Sequence, residues 1–356
     1  MVGPTNTLEL VAVGDVSLAG PEGLDPFAHV ARYLRRGDIV FGNLECAFCE
    51  TGEAAEKEIV LRAAPARALH LQQAGFQIVN VANNHALDFG AAGLRQTLTT
   101  LRERGIRTIG TGPRLSDGGH VILQHDGVKV GFLAYCETDR HAPGHTDLLS
   151  PIDPAVMLEQ LHDLKPHCHA VIVSLHWGIE YTYYPSPSQI ELARELVGNG
   201  AGLVLGHHPL VLQGMETIGT GLIAYSLGSF QFHPRRQQSR QSLLLRVRIG
   251  PRGIERYRAV PVLVDEEDRP RLVHREGRRK TLQFLERISA PIRQDRITEK
   301  WWFEQTAPEY LRVNLRAWIT RVRKYGLRHL TPFLRWLLST FTLKCCLGLW
   351  RTRRSV

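Results

Sequence analysis

Again and again between Leu8 and Pro209, a short apolar run stops on a side chain that can bind a metal or move a proton. Leu8 to Val13 stops on Gly14-Asp15, and Ile39-Val40-Phe41 runs through Gly42-Asn43-Leu44 to Glu45. Ile78 to Ala82 stops on Asn83-Asn84-His85, with Asp88 and Gly90 following. Ala170 to Leu175 stops on His176-Trp177-Gly178, and Leu203-Val204-Leu205 on Gly206-His207-His208-Pro209. Helical patterns separate these runs: Pro26 to Arg36, Pro65 to Ala74, Ala91 to Arg104 closed by Gly105, Pro154 to Leu164, and Ser188 to Val197. Apolar strands alternating with helices read as an α/β domain with parallel strands, whose carboxyl ends lie along one edge. Residues far apart in sequence then converge there.

The period changes after Val121. Val121 to Gln124 and Val128 to Tyr135 flank Asp126-Gly127, a hairpin signal. Leu210 to Val264 is strand and turn, with Leu243 to Ile249 facing Ile254 to Val262 across Gly250-Pro251-Arg252-Gly253, expected to complete a second sheet. No repeat of solenoid or propeller length is visible.

The converging set is Asp15, Glu45, Asn84, His176 and His207. Carboxylates, an amide oxygen and imidazoles suit divalent Mn, Fe or Zn, one ion or two. Two ions sharing a carboxylate would clamp an in-line displacement. Asn cannot deprotonate, so the Asn84-His85 pair fits coordination and proton donation better than nucleophilic attack.

These motifs resemble the series of the CapA family of capsule-synthesis proteins, also called the poly-γ-glutamate synthesis or PgsA family, related to calcineurin-like metallophosphoesterases. The likeness runs from about Leu8 to Phe232. It implies a four-layer α/β/β/α sandwich with a dinuclear site between the sheets; the charge and helical spacing of the later residues add a basic helical C-terminal extension. Carried over, Asp15 is the first aspartate ligand, Glu45 the bridging carboxylate, Asn84 the ligand Asn, and His176 and His207 the later histidine ligands. His85 is the histidine that protonates or orients the leaving group, with Asn83 and Asp88 supporting it from behind. Two departures stand out. Ser17 replaces the usual His two positions after the first aspartate, and the usual Gly-His-x-His ends at Pro209, leaving His208, a second candidate catalytic imidazole, one position early. The implied function is a metal-dependent hydrolase acting on a phosphoester or an amide in anionic-polymer synthesis; the alternative is a non-catalytic accessory subunit that binds or routes polymer.

Other marked residues carry two readings. Trp177 and Tyr181, with Tyr183 and Tyr184, form either a substrate wall or ordinary loop packing. Arg62 is a candidate partner for an anionic substrate. Cys46 and Cys49 form one Cys-x-x-Cys with no second pair, which reads as buried thiols rather than a zinc or redox site. The stretch Met1 to Thr7 has neither a basic nor an apolar secretory region, so a cytoplasmic location is expected.

Charge divides the chain. Of its 44 Lys and Arg and 35 Asp and Glu, residues 267–356 hold 21 and 8, which leaves 23 and 27 for residues 1–266. The boundary proposed there separates the sandwich domain, 1–266, from a basic linker, 267–300, and an amphipathic helical tail. Leu311, Leu315, Trp318, Ile319, Val322 and Tyr325 keep helical spacing among Arg312, Arg316, Arg321, Arg323 and Lys324. Such a helix either packs on the body or adsorbs to anionic lipid through residues 305–356, at the inner face of the membrane. Nucleic acid is disfavoured, because no reader motif accompanies the charge. Phe333 to Trp350 is more apolar, with Trp336, Phe341 and the closing Arg351, Arg353 and Arg354; Arg335 and Lys344, nine residues apart, would fall on opposite sides of one continuous helix.

Overall fold

From Leu8 to Val13 the side chains of the Leu8–Val16 strand sort by position. Leu8, Leu10 and Ala12 enter one core with Phe41, Ile78, Phe132 and Ile172, whereas Val11 and Val13 enter another with Leu34, Leu71 and Leu101. Both faces are buried, as the alternation of a strand between two layers requires. In the computed structural model, which describes residues 6–20, 23–112, 119–137, 146–232, 236–326 and 330–352, this strand is central to the first of the two large sheets; a small one pairs Ala47–Phe48 with Arg62–Ala63. Neighbour to neighbour, the first sheet runs Pro270–Leu272, Gly253–Val264, Gln241–Gly250, Leu8–Val16, Ile39–Leu44, Ile78–Asn80 and Arg107–Ile109, with Ser229–Gln231 also pairing to Leu8–Val16. The second sheet runs Met215–Ile218, Gly221–Ala224, Leu203–His207, Ala170–His176, Val128–Cys136 and His120–His125.

The second sheet divides its side chains in the same way. Ala170 and Ile172 face the first sheet, while Val171, Val173 and Leu175 pack on Met157 and Leu161 of helix Pro154–Leu164 and on Ala193 and Leu196 of helix Pro187–Gly198. Helices, sheet, sheet and helices make the four layers expected. Each fully buried leucine contributes about 1.5–3 kcal/mol relative to exposure.

Several local expectations differ from the structure. Only Ala31–Leu34 of the Pro26 to Arg36 stretch is α-helical. The third strand stops at Asn80 rather than at Ala82, because Asn80 Oδ1 accepts the Ala82 amide at 2.7 Å and replaces the next ladder bond. The strands after Leu210 are shared between the sheets: Gln241–Gly250 with Gly253–Val264 extends the first, and Met215–Ile218 with Gly221–Ala224 the second.

Residues 267–300, expected as a polar linker, hold strand Pro270–Leu272 and helix Arg275–Arg293. Thr281, Leu285, Ile288 and Ile292 form the buried stripe of that helix, and Ser289 Oγ accepts the Met215 amide at 2.9 Å. The arginines that gave the segment its polar look, Arg275, Arg279, Arg287 and Arg293 among them, stay exposed. Helix Glu299–Tyr325 follows, docking on the body through Trp302, Phe303 and Ala307. The apolar stretch after it forms two helices, Leu330–Leu337 and Thr340–Thr352, because Ser339 accepts the Thr342 amide at 3.2 Å and starts a new helix. Arg335 and Lys344 therefore lie on different helices, and their expected opposition on one helix does not apply. Met1 to Thr5, Arg353 and Arg354 lie outside the described residues, as do the side chains of Tyr325, Trp350 and Arg351.

Candidate metal centre

Asp15 reaches the site because its strand changes partner. Up to Val13 the Leu8–Val16 strand pairs antiparallel with Gln241–Gly250; at Asp15 and Val16 it pairs parallel with Ser229–Gln231, and its register with Ile39–Leu44 shifts between Ala12 and Asp15. Such an irregularity re-aims a side chain. Glycine is needed at the switch: a Cβ on Gly14 would lie 1.8 Å from the Gly228 carbonyl oxygen. The same constraint holds beside His207, where a Cβ on Gly206 would lie 1.8 Å from the Tyr225 carbonyl oxygen.

Donor atoms of Asp15, Glu45 and His176 all lie within 4.8 Å of one another, and all three residues are buried. His207 Nδ1 stands 3.2 Å from Asp15 Oδ1, and Asn84 Oδ1 stands 2.9 Å from His176 Nε2. All five expected ligands thus belong to one contact network. Burial first, then the charge and hydrogen bonding of Asp15, pushes the Glu45 carboxyl well above its ordinary range, and the charge of Glu180 adds to this. Among the described residues both carboxylates have only imidazoles as ion-pair partners, and His207 Nε2 is buried without a hydrogen-bond partner. Two buried acids with mixed oxygen and nitrogen neighbours are costly alone and suit a borderline divalent cation. The residues present therefore fit a metal.

Asn43 organises the acids. Its Nδ2 donates to Asp15 Oδ1 and Glu45 Oε1, each at 2.9 Å, and lies 3.2 Å from His176 Nδ1. Asn80 Nδ2 in turn donates to Asn43 Oδ1 at 3.0 Å and to Ser174 Oγ at 3.2 Å. Asn83 Nδ2 donates to the Leu44 carbonyl at 2.7 Å, tying the Asn84 turn to the Glu45 strand.

His85 is held from one side only. Its Nδ1 lies 2.7 Å from Asp88 Oδ2, and Asp88 also accepts from Lys57 Nζ at 2.6 Å and from the Leu61 amide at 2.7 Å. Burial alone would raise the Asp88 carboxyl, but the hydrogen bonds and charges of His85 and Lys57 outweigh it and hold the group below its usual range. Asp88 is thus an anion at neutral pH and accepts the Nδ1 proton, which leaves Nε2 of His85 for proton exchange.

This geometry can be set beside known proteins. Residues 9–234 match the family model described as bacterial capsule synthesis protein PGA_cap. The chain belongs to that family. Among PGA_cap relatives, the capsule biosynthesis protein CapA of Bacillus anthracis is 32% identical over 256 residues, covering 67% of this chain and 61% of the relative. The PGA biosynthesis protein CapA of Bacillus subtilis (strain 168) is 31% identical over 247 residues, covering 67% and 65%. The aligned region thus spans less than two thirds of either relative. Among solved structures, a putative 5'-nucleotidase from Staphylococcus aureus in complex with alpha-ketoglutarate gives a TM-score of 0.49 at 14% identity, covering 79% of this chain and 58% of that one.

The two departures in this PGA_cap chain have visible consequences. Ser17 is buried and its amide donates to the Gln231 carbonyl at 2.6 Å, so it braces the strand switch. His208, one position early, takes φ 96°, a region costly for a non-glycine residue. That backbone aims the His208 amide at Asp15 Oδ2, 3.3 Å away, and sets its ring 4.8 Å from that of His176. His208 therefore stays at the centre despite the shortened motif.

Of the two readings of Trp177 and Tyr181, substrate wall or packing, their surroundings match packing. Trp177 is 1% exposed and stacks on Tyr225 in the core beneath the second sheet, because its backbone continues the edge of that sheet and its ring turns inward. Tyr181 is buried against Leu210, Val211 and Phe232, with the Arg236 guanidinium 3.8 Å over its ring. Arg62 is exposed and stacks over Phe89 at 5.0 Å. Cys46 and Cys49 are free and buried; the Cys46 thiol is pushed up to about 12 by burial and accepts the Leu18 amide. Sequence reasoning missed the roles of Asn43, Asn80 and Lys57. The first two had a signal, since an Asn inside an apolar strand must find a buried partner; Lys57, in a charged loop, had none.

Proposed function

We propose that this chain is a metal-dependent hydrolase serving the synthesis of a capsular, poly-glutamate-type anionic polymer, cleaving a phosphoester or an amide bond. The observation that carries the reading is the buried cluster of Asp15, Glu45 and His176 next to the turn that holds His85. In this reading Asp15, Glu45, Asn84, His176 and His207 hold one or two divalent ions, with Mn, Fe or Zn the best matched. Such an ion, when bound, supplies Lewis-acid polarisation of the scissile group and of water. His85 gives a proton from Nε2 to the leaving group while Asp88 stabilises its charged form. Asn43 keeps the two acids at a fixed separation, and His208 contributes a further imidazole over His176. Relatives named for capsule and PGA biosynthesis support the polymer class. A second reading, a polymer-binding accessory subunit without turnover, draws on Ser17 and the shortened Gly206-His207-His208-Pro209 run.

Elemental analysis of the purified chain, paired with turnover of a phosphodiester and of γ-glutamyl peptides, separates the two. The hydrolase reading expects bound divalent metal and activity that falls by about 100-fold or more in His85→Ala, with metal and activity both lost in Asp15→Ala. Metal-free protein, or equal turnover in all three, would overturn it.

A further inference from the structure

We propose that the three C-terminal helices form a face that docks on an anionic lipid bilayer. On helix Glu299–Tyr325, the exposed positions Arg312, Leu315, Arg316, Ile319 and Arg323 recur at helical spacing, so one stripe is both apolar and cationic. Helix Leu330–Leu337 turns Phe333 and Trp336 inward onto Trp318, with ring centroids 6.2 and 6.5 Å apart, and leaves Leu330, Leu334 and Leu337 outside. Helix Thr340–Thr352 packs Phe341 on Tyr310 at 4.8 Å and buries Cys345, leaving Leu343 and Leu347 48% and 54% exposed. Leu338, between the last two helices, is 68% exposed. The helices thus satisfy an aromatic core among themselves and still leave large aliphatic side chains exposed on each of the three. Leaving so many large aliphatic groups in water is costly without a partner.

Charge identifies the partner. From Tyr310 to Val356 the sequence has no Asp or Glu and eleven Lys or Arg. Arg316, Arg323 and Arg335 are exposed and make no ion pair among the described residues. A second copy of this face would bring like charges together, whereas a bilayer with acidic headgroups supplies both an apolar interior and negative charge. No helix among the described residues is long and apolar enough to cross a membrane, so attachment is in the plane of the surface. Arginine stems lie along the apolar surface with their heads at the phosphates.

The test is co-flotation of the full chain with vesicles of phosphatidylcholine alone and with about 30% phosphatidylglycerol, at low salt and at about 0.5 M NaCl. Two double variants accompany it, Leu334→Asp with Leu343→Asp and Arg316→Gln with Arg323→Gln, each checked for unchanged helicity and melting. The parent should float with the acidic vesicles and lose partitioning in high salt. Each variant should bind about tenfold more weakly or less. A parent that stays unbound, or variants that float as the parent does, would overturn the proposal. So would light scattering that shows a dimer abolished by the leucine substitutions with no vesicle binding.

Discussion

His85 Nδ1 and Asp88 Oδ2 lie 2.7 Å apart within a single tight turn, and Lys57 closes the other side of the same carboxylate at 2.6 Å. Asp88 is therefore both the orienting group for His85 and the clamp on the 51–60 loop. Its folded pKa is depressed, so it stabilises the fold above the unfolded value of about 3.9 and loses that contribution as pH falls through the lower folded value. Asp88→Asn should cost about 2 kcal/mol near neutral pH. The gap to the parent should close as pH falls below about 4, where Asp88 itself takes up a proton. Urea unfolding at a series of pH values measures it, and a gap that persists to the most acid pH at which the parent still folds would contradict the assignment.

Asn43 Nδ2 is shared by Asp15 and Glu45. Asn43→Leu removes the donor while keeping the size, and should lower metal-free stability by about 2–3 kcal/mol. Added divalent metal should restore more stability to the variant than it adds to the parent, because the ion would then supply the compensation that the neutral Asn43 donor gives both acids in the parent. Thermal melting with EDTA and with excess Mn²⁺ or Zn²⁺ reads both terms; equal responses would show that Asn43 does not brace the pair.

Trp177 tests the boundary between site and core. Its ring stacks with Tyr225 under the sheet, and its Nε1 donates to the Tyr225 carbonyl at 3.4 Å. Trp177→Ala should destabilise the fold by about 3–5 kcal/mol, with any remaining folded protein keeping its KM for whichever substrate proves active. A raised KM at parental stability would return Trp177 to the substrate surface.

Arg246 sits directly opposite Arg258, and Arg248 opposite Arg256, on neighbouring antiparallel strands. Glu9 pairs with Arg246 at 3.0 Å and with Arg248 at 3.7 Å. Like charges directly opposed weaken a sheet. Arg258→Thr should therefore raise stability by about 0.5 kcal/mol at low salt, with the gain shrinking as salt is added. Denaturant midpoints at two ionic strengths decide it, and a loss of stability would mean the arginine stem packs more than its charge repels.

The Arg ladder also shows where reading the chain reaches its limit. Residues 1–266 carry a slight acidic excess, and only the pairing register discloses that four arginines share one face. Asn43 and Asn80 were visible as polar residues in apolar strands, yet nothing local chooses Asp15, 28 residues earlier, as the partner of Asn43. The stripe Thr281, Leu285, Ile288 and Ile292 kept helical spacing, but the surrounding arginines masked it.

The sequence alone determined the alternation of apolar strands and helices, and it marked Asp15, Glu45, Asn84, His85, His176 and His207 as strand-end groups. Those features follow from side-chain period and residue chemistry, which are local. Tertiary structure alone decided that Asp15 is delivered by a change of strand partner, that Trp177 turns into the core and that Lys57 completes the His85 turn. It also decided that leucines on each of the last three helices stay exposed while their aromatic rings pack together. Each depends on register, loop closure or packing between segments far apart in the chain, and a contact of that kind leaves no trace in the spacing of either segment alone.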